Sequence, residues 1–423
     1  MKFDFYIARK LTEKGKNQFT SWILRLAISA VAISIAVMIL ANCLIAGFKE
    51  EISQKIFNFW GHISISKELD ETRWDLVNMT YDSSLVEKIL STEISDTSIF
   101  GQVADPVKAV EHIQAIAQFP AIMQSKDELE GILLKGIGSD FRQSFYKQYL
   151  VAGLPLQTDL DKDSVPELVV SQNTADRLNL EVGKKLRLVF VIDDAQKVRV
   201  FKVSGIYKTG LEEYDKKIAL ASISEIRSIL GWDDKRIGGY ELFVSNLDKL
   251  DRTEMLIYES ILPPELFSNT IRAKFPAIFD WLRIQDYNEW VILLLMSIVC
   301  IINMVTVILI LVLERTRMVG ILKALGARNQ FLRNLFMFYG AKILFKGLVW
   351  GNAIGLGLAA IQYYFRPLRL PEADYYLSYA PIRFHFDEIL LINFAVIAVV
   401  SVCLLIPLLI VRGISPVKAI RFD

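Results

Sequence analysis

Residue types that can act in catalysis or bind metals are present in this chain, but their spacing matches no catalytic or metal-binding motif. Its three histidines lie far apart and lack the spacing of metal ligands. The acidic pair Asp193–Asp194 falls in a predicted turn, where solvated carboxylates are common. The sequence has no G-x-x-x-x-G-K-[ST], G-x-S-x-G, H-E-x-x-H or C-x-x-C motif. We therefore expect no catalytic residue, no metal site and no cofactor held by this chain.

Composition indicates a membrane protein. Of the 423 residues, 53% are hydrophobic, and long apolar runs alternate with charged segments. The net charge of +1 argues against a nucleic-acid partner, which would favour a basic surface. All three cysteines lie inside apolar runs, so no disulfide framework is expected in the long segment between the first two runs.

The most informative charged segment is Glu314–Arg333. It lies between two apolar runs, Trp290–Leu313 and Leu335–Phe365, each long enough to cross a bilayer. The segment holds five Lys or Arg residues and one acid, so the positive-inside rule places it in the cytoplasm. Gly326 is positioned to stop a helix. The apolar residues at helical spacing are Val319, Ile321, Leu322 and Leu325. The pattern predicts a short amphipathic helix that docks onto a cytoplasmic partner.

The N-terminal stretch, residues 1–20, is basic and has apolar residues on one helical face, namely Phe3, Ile7 and Leu11. It is interpreted as an interfacial amphipathic helix, with a plain charged tail as the alternative. The apolar run Trp22–Ile45 is too long for a signal peptide and is predicted to be a retained membrane helix.

The soluble part, Gly47–Tyr287, has a mixed pattern that predicts an α+β domain. Helices are expected at Ser83–Leu90, with Ser83 or Ser84 as the N-cap, and at Asn269–Asp286, which leads into the second span. Two strand-like runs flank a short polar turn and predict a hairpin. The expected strands are Ile63–Ser66, Val107–Phe119, Gly131–Lys135, Glu167–Ser171, Leu186–Ile192, Val198–Ser204 and Tyr240–Val244.

The third apolar run carries Gly347, Gly351 and Gly355 at four-residue spacing. This small-xxx-small pattern predicts a face on which another helix backbone can approach closely, and scattered glycine is the alternative. The following loop, Arg366–Glu388, has three arginines against four acids and therefore lacks the cytoplasmic charge bias. Both termini and the basic loop are thus predicted inside, and the soluble domain outside.

Glu314–Arg317 and Gly320–Ala327, together with several segments elsewhere in the chain, resemble the MacB/FtsX-type ABC transporter permeases, and within that group the LolC/LolE family. The strongest similarity lies in Glu314–Arg317 with Gly320–Ala327. The other segments that carry it are Phe19–Ile23, Ala46–Ile52, Gly205–Leu211 with Tyr214 and Asp215, Ile278–Leu282, Asn303, and Ile414–Arg421.

The resemblance implies an inner-membrane permease subunit without catalytic activity, which couples ATP hydrolysis to lipoprotein extraction by mechanotransmission. ATP and Mg are then bound by a separate cytoplasmic ABC ATPase subunit. Further implied partners are a second permease chain in a homo- or heterodimer and a membrane lipoprotein as substrate. A periplasmic lipoprotein carrier is a partner of those family members that recruit it. The ATPase-coupling residues carried over are Glu314, Arg317, Gly320, Ile321, Lys323, Ala324, Gly326 and Ala327.

The resulting fold class is an α-helical membrane protein with four transmembrane helices (1+3) and a large α+β periplasmic domain between the first two. The expected segments are an amphipathic helix at 1–20, membrane helices at 21–46, 288–313, 335–365 and 389–411, the periplasmic domain at 47–287, the coupling helix at 314–334, a periplasmic loop at 366–388 and a cytoplasmic tail at 412–423.

One departure from the family concerns the hairpin turn Asp193–Lys197. Family members that recruit the carrier have a proline-containing hook inserted here, whereas this turn is short and has no proline. Two explanations stay open: the chain is the subunit that does not recruit the carrier, or another contact replaces the hook.

Three other functions compete with lipoprotein release. An FtsX-like regulator would use the same ATPase docking to switch a periplasmic cell-wall hydrolase. A MacB-like efflux permease is disfavoured, because such a permease usually has its ATPase fused to the same chain and this sequence has no G-x-x-x-x-G-K-[ST] motif. A ligand-sensing receptor without an ATPase is disfavoured by the coupling segment.

Overall fold

The computed structural model describes residues 18–68, 77–95, 106–125, 128–158 and 165–404. The chain divides into two compact units. The helical unit comprises the described residues up to Glu51, then Trp281–Leu370, and those from Tyr379 onwards; the sheet unit comprises Ile52–Asp280 and Pro371–Ser378. Residues 1–17 of the predicted N-terminal helix, the end of the predicted span 389–411 and the tail 412–423 lie outside the described residues.

The helices of the described residues follow in chain order. They are α1 Gln18–Trp60, α2 Ser83–Leu90, α3 Ser144–Tyr149, α4 Gln172–Arg177, α5 Glu212–Asp215, α6 Ile223–Leu230, α7 Leu250–Ser260, α8 Ile271–Lys274, α9 Pro276–Glu314, α10 Thr316–Ala324, α11 Asn329–Phe365, α12 Glu372–Tyr375 and α13 Phe386–Cys403, with a 3-10 turn at Leu247–Lys249.

The strands are likewise numbered in chain order. They are β1 Ile63–Ser66, β2 Met79–Thr80, β3 Glu93–Ile94, β4 Val107–Lys108, β5 Val110–Gln124, β6 Leu129–Ile137, β7 Leu150–Gly153, β8 Glu167–Ser171, β9 Lys185–Ile192, β10 Ala195–Tyr207, β11 Ile218–Ser222, β12 Arg236–Ile237, β13 Gly239–Val244 and β14 Phe267–Thr270.

Helices α1, α9, α11 and α13 are long and apolar enough to cross a membrane. With 43 residues, α1 is about 65 Å long at 1.5 Å per residue, roughly twice the hydrocarbon thickness of a bilayer. The helix α9 has 39 residues and starts at Pro276, where the fixed φ of proline suits the first turn. Both helices therefore run well past the predicted spans 21–46 and 288–313.

The core of the helical unit is formed by aliphatic side chains from all four long helices. Ile35 and Ile39 of α1, Ile308 of α9 and Ile343 of α11 are among its least exposed members, and Val400 represents α13. Within each helix the core residues recur at helical spacing, so one apolar stripe per helix faces its neighbours.

The sheet unit is built on a ten-stranded sheet in the order β14-β1-β13-β5-β6-β11-β8-β10-β7, with β9 paired to both β10 and β5. Strands β5, β6, β11, β8, β10 and β9 therefore close into a ring. In β9, successive side chains alternate between the two faces of the strand. Leu186, Leu188 and Phe190 are buried, whereas Lys185 and Arg187 are exposed. Inward apolar side chains fill the ring, and outward polar ones face solvent.

The predicted hairpin is confirmed, with β9 and β10 joined by Asp193 and Asp194. Both residues have positive φ, 49° and 60°, as a two-residue type I′ turn requires. The predicted strands Ile63–Ser66 and Glu167–Ser171 and the helix Ser83–Leu90 are confirmed at both ends. The turn between β9 and β10 is too short to hold an inserted hook.

Two local expectations were wrong. The N-cap of α2 is Asp82, whose carboxylate accepts hydrogen bonds from the Ser84 and Leu85 N–H groups, and not Ser83 or Ser84. Asn269 lies in β14, paired with β1, rather than in a helix. Here the open edge of β1 recruits the segment before α8, and strand pairing overrides its helical pattern.

Candidate coupling site

The predicted coupling segment forms the helix α10, separated from α9 by a break at Arg315. The hydroxyl of Thr316 donates to the Leu313 carbonyl at 2.7 Å, so the end of α9 has a local partner at the break. The nine residues of α10 then run to Ala324. The basic loop is thus a helix in its own right, joined to α9 by a defined corner.

The end of α10 is set by Gly326, and the predicted helix stop is confirmed. Gly326 has φ +88°, a conformation that favours glycine. Its N–H donates to the Lys323 carbonyl at 3.0 Å, and the Ala327 N–H donates to the Leu322 carbonyl at 2.9 Å. This pair of bonds is the Schellman motif, which satisfies the last carbonyls of a helix. The chain can therefore leave α10 sharply before α11.

The side chains of α10 separate into an inward and an outward set. Val319 and Gly320 are buried in the chain, whereas Ile321 is 48% and Leu325 80% exposed. Of the predicted coupling residues, Gly320 therefore packs inward and does not belong to the outer surface. Glu314, Arg317, Ala324 and Gly326 are exposed, and Lys323 and Ala327 are half-buried. The outer surface of α10 therefore presents two large aliphatic side chains, Ile321 and Leu325, near the basic residues Arg317 and Lys323.

The three glycines predicted to pack a helix all contact α1. A Cβ atom on Gly347 would overlap Val31, one on Gly351 would lie 2.7 Å from the Cβ of Ile35, and one on Gly355 would lie 3.1 Å from the Cα of Ala36. By contrast, a Cβ on Gly357 of the same helix would meet nothing within 4 Å. The glycine face allows the backbones of α1 and α11 to approach closely, as in GxxxG pairs.

Polar side chains between the long helices form contacts that the sequence reasoning missed. The Asn42 amide donates to Glu289 Oε1 and Glu388 Oε2, both at 2.8 Å. Asn352 and Asn393 exchange amide hydrogen bonds at 2.7 and 3.0 Å. Asparagine inside an apolar run was the available signal, because a polar group at that depth needs a partner. These pairs link α1, α9, α11 and α13 by directional bonds.

In the sheet unit, the segment Gly205–Leu211 is closed by a buried carboxylate. Asp215 accepts the Thr209 hydroxyl at 2.6 Å and the N–H groups of Thr209 and Gly210 at 3.1 and 3.2 Å. Burial raises the pKa of Asp215, and the hydrogen bonds from Thr209 and Gly210 oppose that rise. This loop, placed by sequence in the family signature, is thus held by three hydrogen bonds to one carboxylate.

The same loop is covered by residues 371–376. The Lys55 ammonium donates to the Tyr376 carbonyl at 2.8 Å, and Lys208 pairs with Glu372 at 2.7 Å. Gly210 lies between them with φ +82°, and a Cβ there would be 2.6 Å from Lys55 Nζ. The end of α1, the signature loop and the short helix α12 therefore meet at one point of the sheet unit.

Metal chemistry has no site among the residues that the structure describes. No three His, Cys, Asp or Glu side chains of those residues lie close enough together to hold an ion. His62 illustrates the reason, because its Nδ1 accepts the Val244 N–H at 2.8 Å and its ring packs on Phe57 and Phe243. It is a satisfied core side chain.

Comparison with known proteins matches two family models. The MacB-like periplasmic core domain matches residues 25–245, more than half of the chain, and the FtsX-like permease C-terminal model matches residues 290–416. Among curated proteins, the lipoprotein-releasing system transmembrane protein LolC of Neisseria meningitidis serogroup B is 21% identical and covers 98% of each chain. LolE of Haemophilus influenzae is 20% identical over 96% of each chain. The extracellular domain of the noncanonic ABC-type transporter YknZ from Gram-positive bacteria matches 49% of this chain and 99% of its own, with 14% identity and a TM-score of 0.29.

Proposed function

Since the chain belongs to the family that carries the MacB-like periplasmic core domain, joined to an FtsX-like permease part, we propose that it is the permease subunit of a lipoprotein-releasing ABC transporter. The observation that carries the proposal is the similarity to LolC and LolE over nearly the whole chain. Similarity confined to either half would fit any permease of the group.

The proposed topology follows from the charges and the order of the helices. One candidate span, α1, precedes the sheet unit in the chain, and three, α9, α11 and α13, follow it. Placing the basic segment around α10 in the cytoplasm puts the sheet unit in the periplasm and both termini inside. The chain then lies in the bacterial inner membrane in a 1+3 arrangement.

The proposed energy source is a separate ABC ATPase that binds ATP and Mg. Ile321 and Leu325 would enter a groove of that subunit, and Arg317 and Lys323 would orient them by charge. Closure of the ATPases would displace α10, and the adjoining helices α9 and α11 would transmit the displacement. A second permease chain, identical or homologous, would complete the cavity from which the lipoprotein is extracted.

Depletion of the protein from cells tests whether lipoproteins are its cargo. Lipoproteins destined for release should accumulate in the inner membrane, measured by fractionation and immunoblotting. Unchanged sorting after depletion would exclude lipoprotein release.

A paired substitution tests the coupling helix. Lys323→Glu with Gly326→Leu should abolish co-purification of the ATPase and reduce lipoprotein release at least tenfold. The matched control is Lys88→Glu with Gly183→Leu, because Lys88 is exposed and Gly183 also has positive φ with nothing within 4 Å of its Cβ position. Intact co-purification and release in the first variant would remove α10 from the mechanism.

A second function is supported by the FtsX-like match over residues 290–416. In that case the ATPase would drive a change in the sheet unit that switches a periplasmic cell-wall hydrolase. Purification of the full complex distinguishes the two, since acylated lipoproteins should co-purify under the first function and a hydrolase under the second.

A further inference from the structure

Lys135 is a fully buried charged side chain in the middle of β6, with 0% of its side chain exposed. Its ammonium lies 2.7 Å from Glu241 Oε1 and 3.0 Å from Oε2. The third contact is the Phe59 carbonyl, at 2.7 Å. Three acceptors at these distances use all three N–H donors of the ammonium group.

The Phe59 carbonyl belongs to the last turn of α1. The last carbonyls of a helix have no partner within the helix, and a cation at this end is favoured by the helix dipole. Gly61 satisfies the Phe57 carbonyl through its N–H at 2.9 Å. Lys135 supplies the partner for Phe59, so a side chain from the sheet caps the longest helix of the described residues.

Glu241 holds the ammonium in place through a neighbouring strand. Gln114, directly opposite Glu241 in the pairing of β5 with β13, donates its amide to Glu241 Oε2 at 2.8 Å. The Gln114 carbonyl oxygen accepts the Arg142 N–H at 3.2 Å. Side chains from β6, β5 and β13 thus fix the position of the helix cap.

The chain leading into α9 reaches the same place. Lys274 Nζ lies 4.6 Å from the centre of the Trp60 ring, and the Phe275 ring packs on Trp60 at 5.4 Å. The Lys135 ammonium lies 5.1 Å from the same indole ring. The end of α1 and the residues before α9 therefore share one aromatic contact beside the buried ion pair.

A buried ion pair is a poor source of stability, because desolvation of both charges offsets their attraction, and apolar replacements are often tolerated. What the pair does supply is direction, since the ammonium must point at one carbonyl and one carboxylate. Apolar contacts are non-directional and do not supply this.

We propose that Lys135 is a positioning residue that ties the end of α1 to the centre of the sheet, so that axial movement of α1 is passed to the sheet unit. This inference rests on the proposed function, in which ATP-driven movement of the helices must reach the soluble domain. Glu241 and Gln114 keep the ammonium aimed at Phe59.

The test compares variants in the full complex with its ATPase, reconstituted in lipid. Lys135→Met with Glu241→Gln removes both buried charges and leaves an oxygen for Gln114. The matched control is Arg199→Met with Glu225→Gln, an exposed pair of the same unit with an N–O distance of 3.4 Å.

The double variant at the cap should assemble and hydrolyse ATP within about twofold of the natural protein, but release at least fivefold less lipoprotein per ATP. The control should stay within about twofold in release per ATP. A merely structural role would lower assembly and leave this ratio unchanged, so an assembled double variant with the natural ratio overturns the proposal.

Hydrogen exchange on the unmodified complex provides a measurement that depends on neither variant folding nor cargo. Locking the ATPases with ATP and vanadate should change exchange at Phe59–Gly61 and at Leu134–Gly136 together. A change confined to the end of α1, or no change at either place, overturns the proposal. If the natural complex releases no lipoprotein, the proposed function fails while this exchange test still decides the role of Lys135.

Discussion

At the scale of single residues, His62 shows how burial governs a titratable side chain in the sheet unit. Its ring is enclosed by Phe57 and Phe243, and burial, followed by the nearby Arg142 cation, lowers its pKa to about 4. The unfolded chain has a His pKa near 6.5, so between these values unfolding takes up a proton. Stability is therefore present above about pH 6.5 and is lost as the pH falls towards 4.

Replacement of His62 by Asn should weaken this pH dependence. The Asn oxygen can accept the Val244 N–H that His62 Nδ1 accepts now, without a group that titrates. The natural chain should lose roughly 3 kcal/mol more stability than the variant between pH 7 and pH 4. Thermal unfolding of the full chain in detergent measures the difference, and parallel pH profiles for the two proteins would contradict it.

Gly210 is a residue at which both conformation and space exclude a side chain. Gly210→Ala should cost about 1–2 kcal/mol from its positive φ and should also displace Lys55 and Glu372 from their contacts. Gly183→Ala carries the same conformational cost, since φ is +92°, in open space. We expect faster proteolysis within residues 371–378 for Gly210→Ala alone. Equal cleavage in both variants would show that the contacts at Gly210 do not hold this segment.

At the scale of secondary structure, the packing of α11 on α1 depends on the glycines that lack room for a side chain. Gly351 is closest to the backbone of α1, since a Cβ there would lie 2.9 Å from the Ala32 carbonyl oxygen. Gly357 belongs to the same helix and faces open space in this chain. Comparing the same substitution at the two positions therefore distinguishes the effect of helix packing on stability from that of helix propensity.

Gly351→Leu should destabilise the helical unit by about 1–3 kcal/mol through overpacking, whereas Gly357→Leu should not. Replacing Gly by Leu favours the helix equally at both sites, so propensity cancels in the comparison. The measurement is the unfolding temperature of the full chain in detergent. A shift of the same size for both variants would place the packing face elsewhere on α11.

At the scale of the whole molecule, the proposed 1+3 arrangement places α10 and the sheet unit on opposite sides of the membrane. Exposed positions exist on both sides of that division, Arg328 after α10 and Lys184 before β9. Single cysteines at these positions can be labelled in a background in which Cys43, Cys300 and Cys403 are replaced by alanine.

In spheroplasts, Lys184→Cys should react with a membrane-impermeant maleimide, and Arg328→Cys should react only after permeabilisation. The positive-inside rule gives the reason, since the segment containing Arg328 carries the excess of basic residues. Labelling of both cysteines in intact spheroplasts would contradict the proposed topology.

Local signals in the sequence were sufficient for the helix stop at Gly326 and for the hairpin turn at Asp193 and Asp194. Each depends on backbone preferences of one or two residues, which are expressed wherever the chain lies. The burial of Gly320 and the strand at Asn269 were not predictable in this way. Each depends on a neighbour far along the chain, and tertiary context overrides a local pattern.

By itself, the sequence determined the class of protein, the apolar runs and their order around a mixed soluble domain, and the basic segment between two of these runs. These properties follow from composition and from short-range patterns of apolar and charged residues, which can be interpreted without the tertiary structure. Only the tertiary structure decided that Lys135 meets Phe59 and Glu241, that Asn42 joins Glu289 and Glu388, and that Gly351 faces Ala32. The two residues of each of these hydrogen bonds are 76 to 346 positions apart in the sequence. No local pattern specifies which buried polar group will form a hydrogen bond with another.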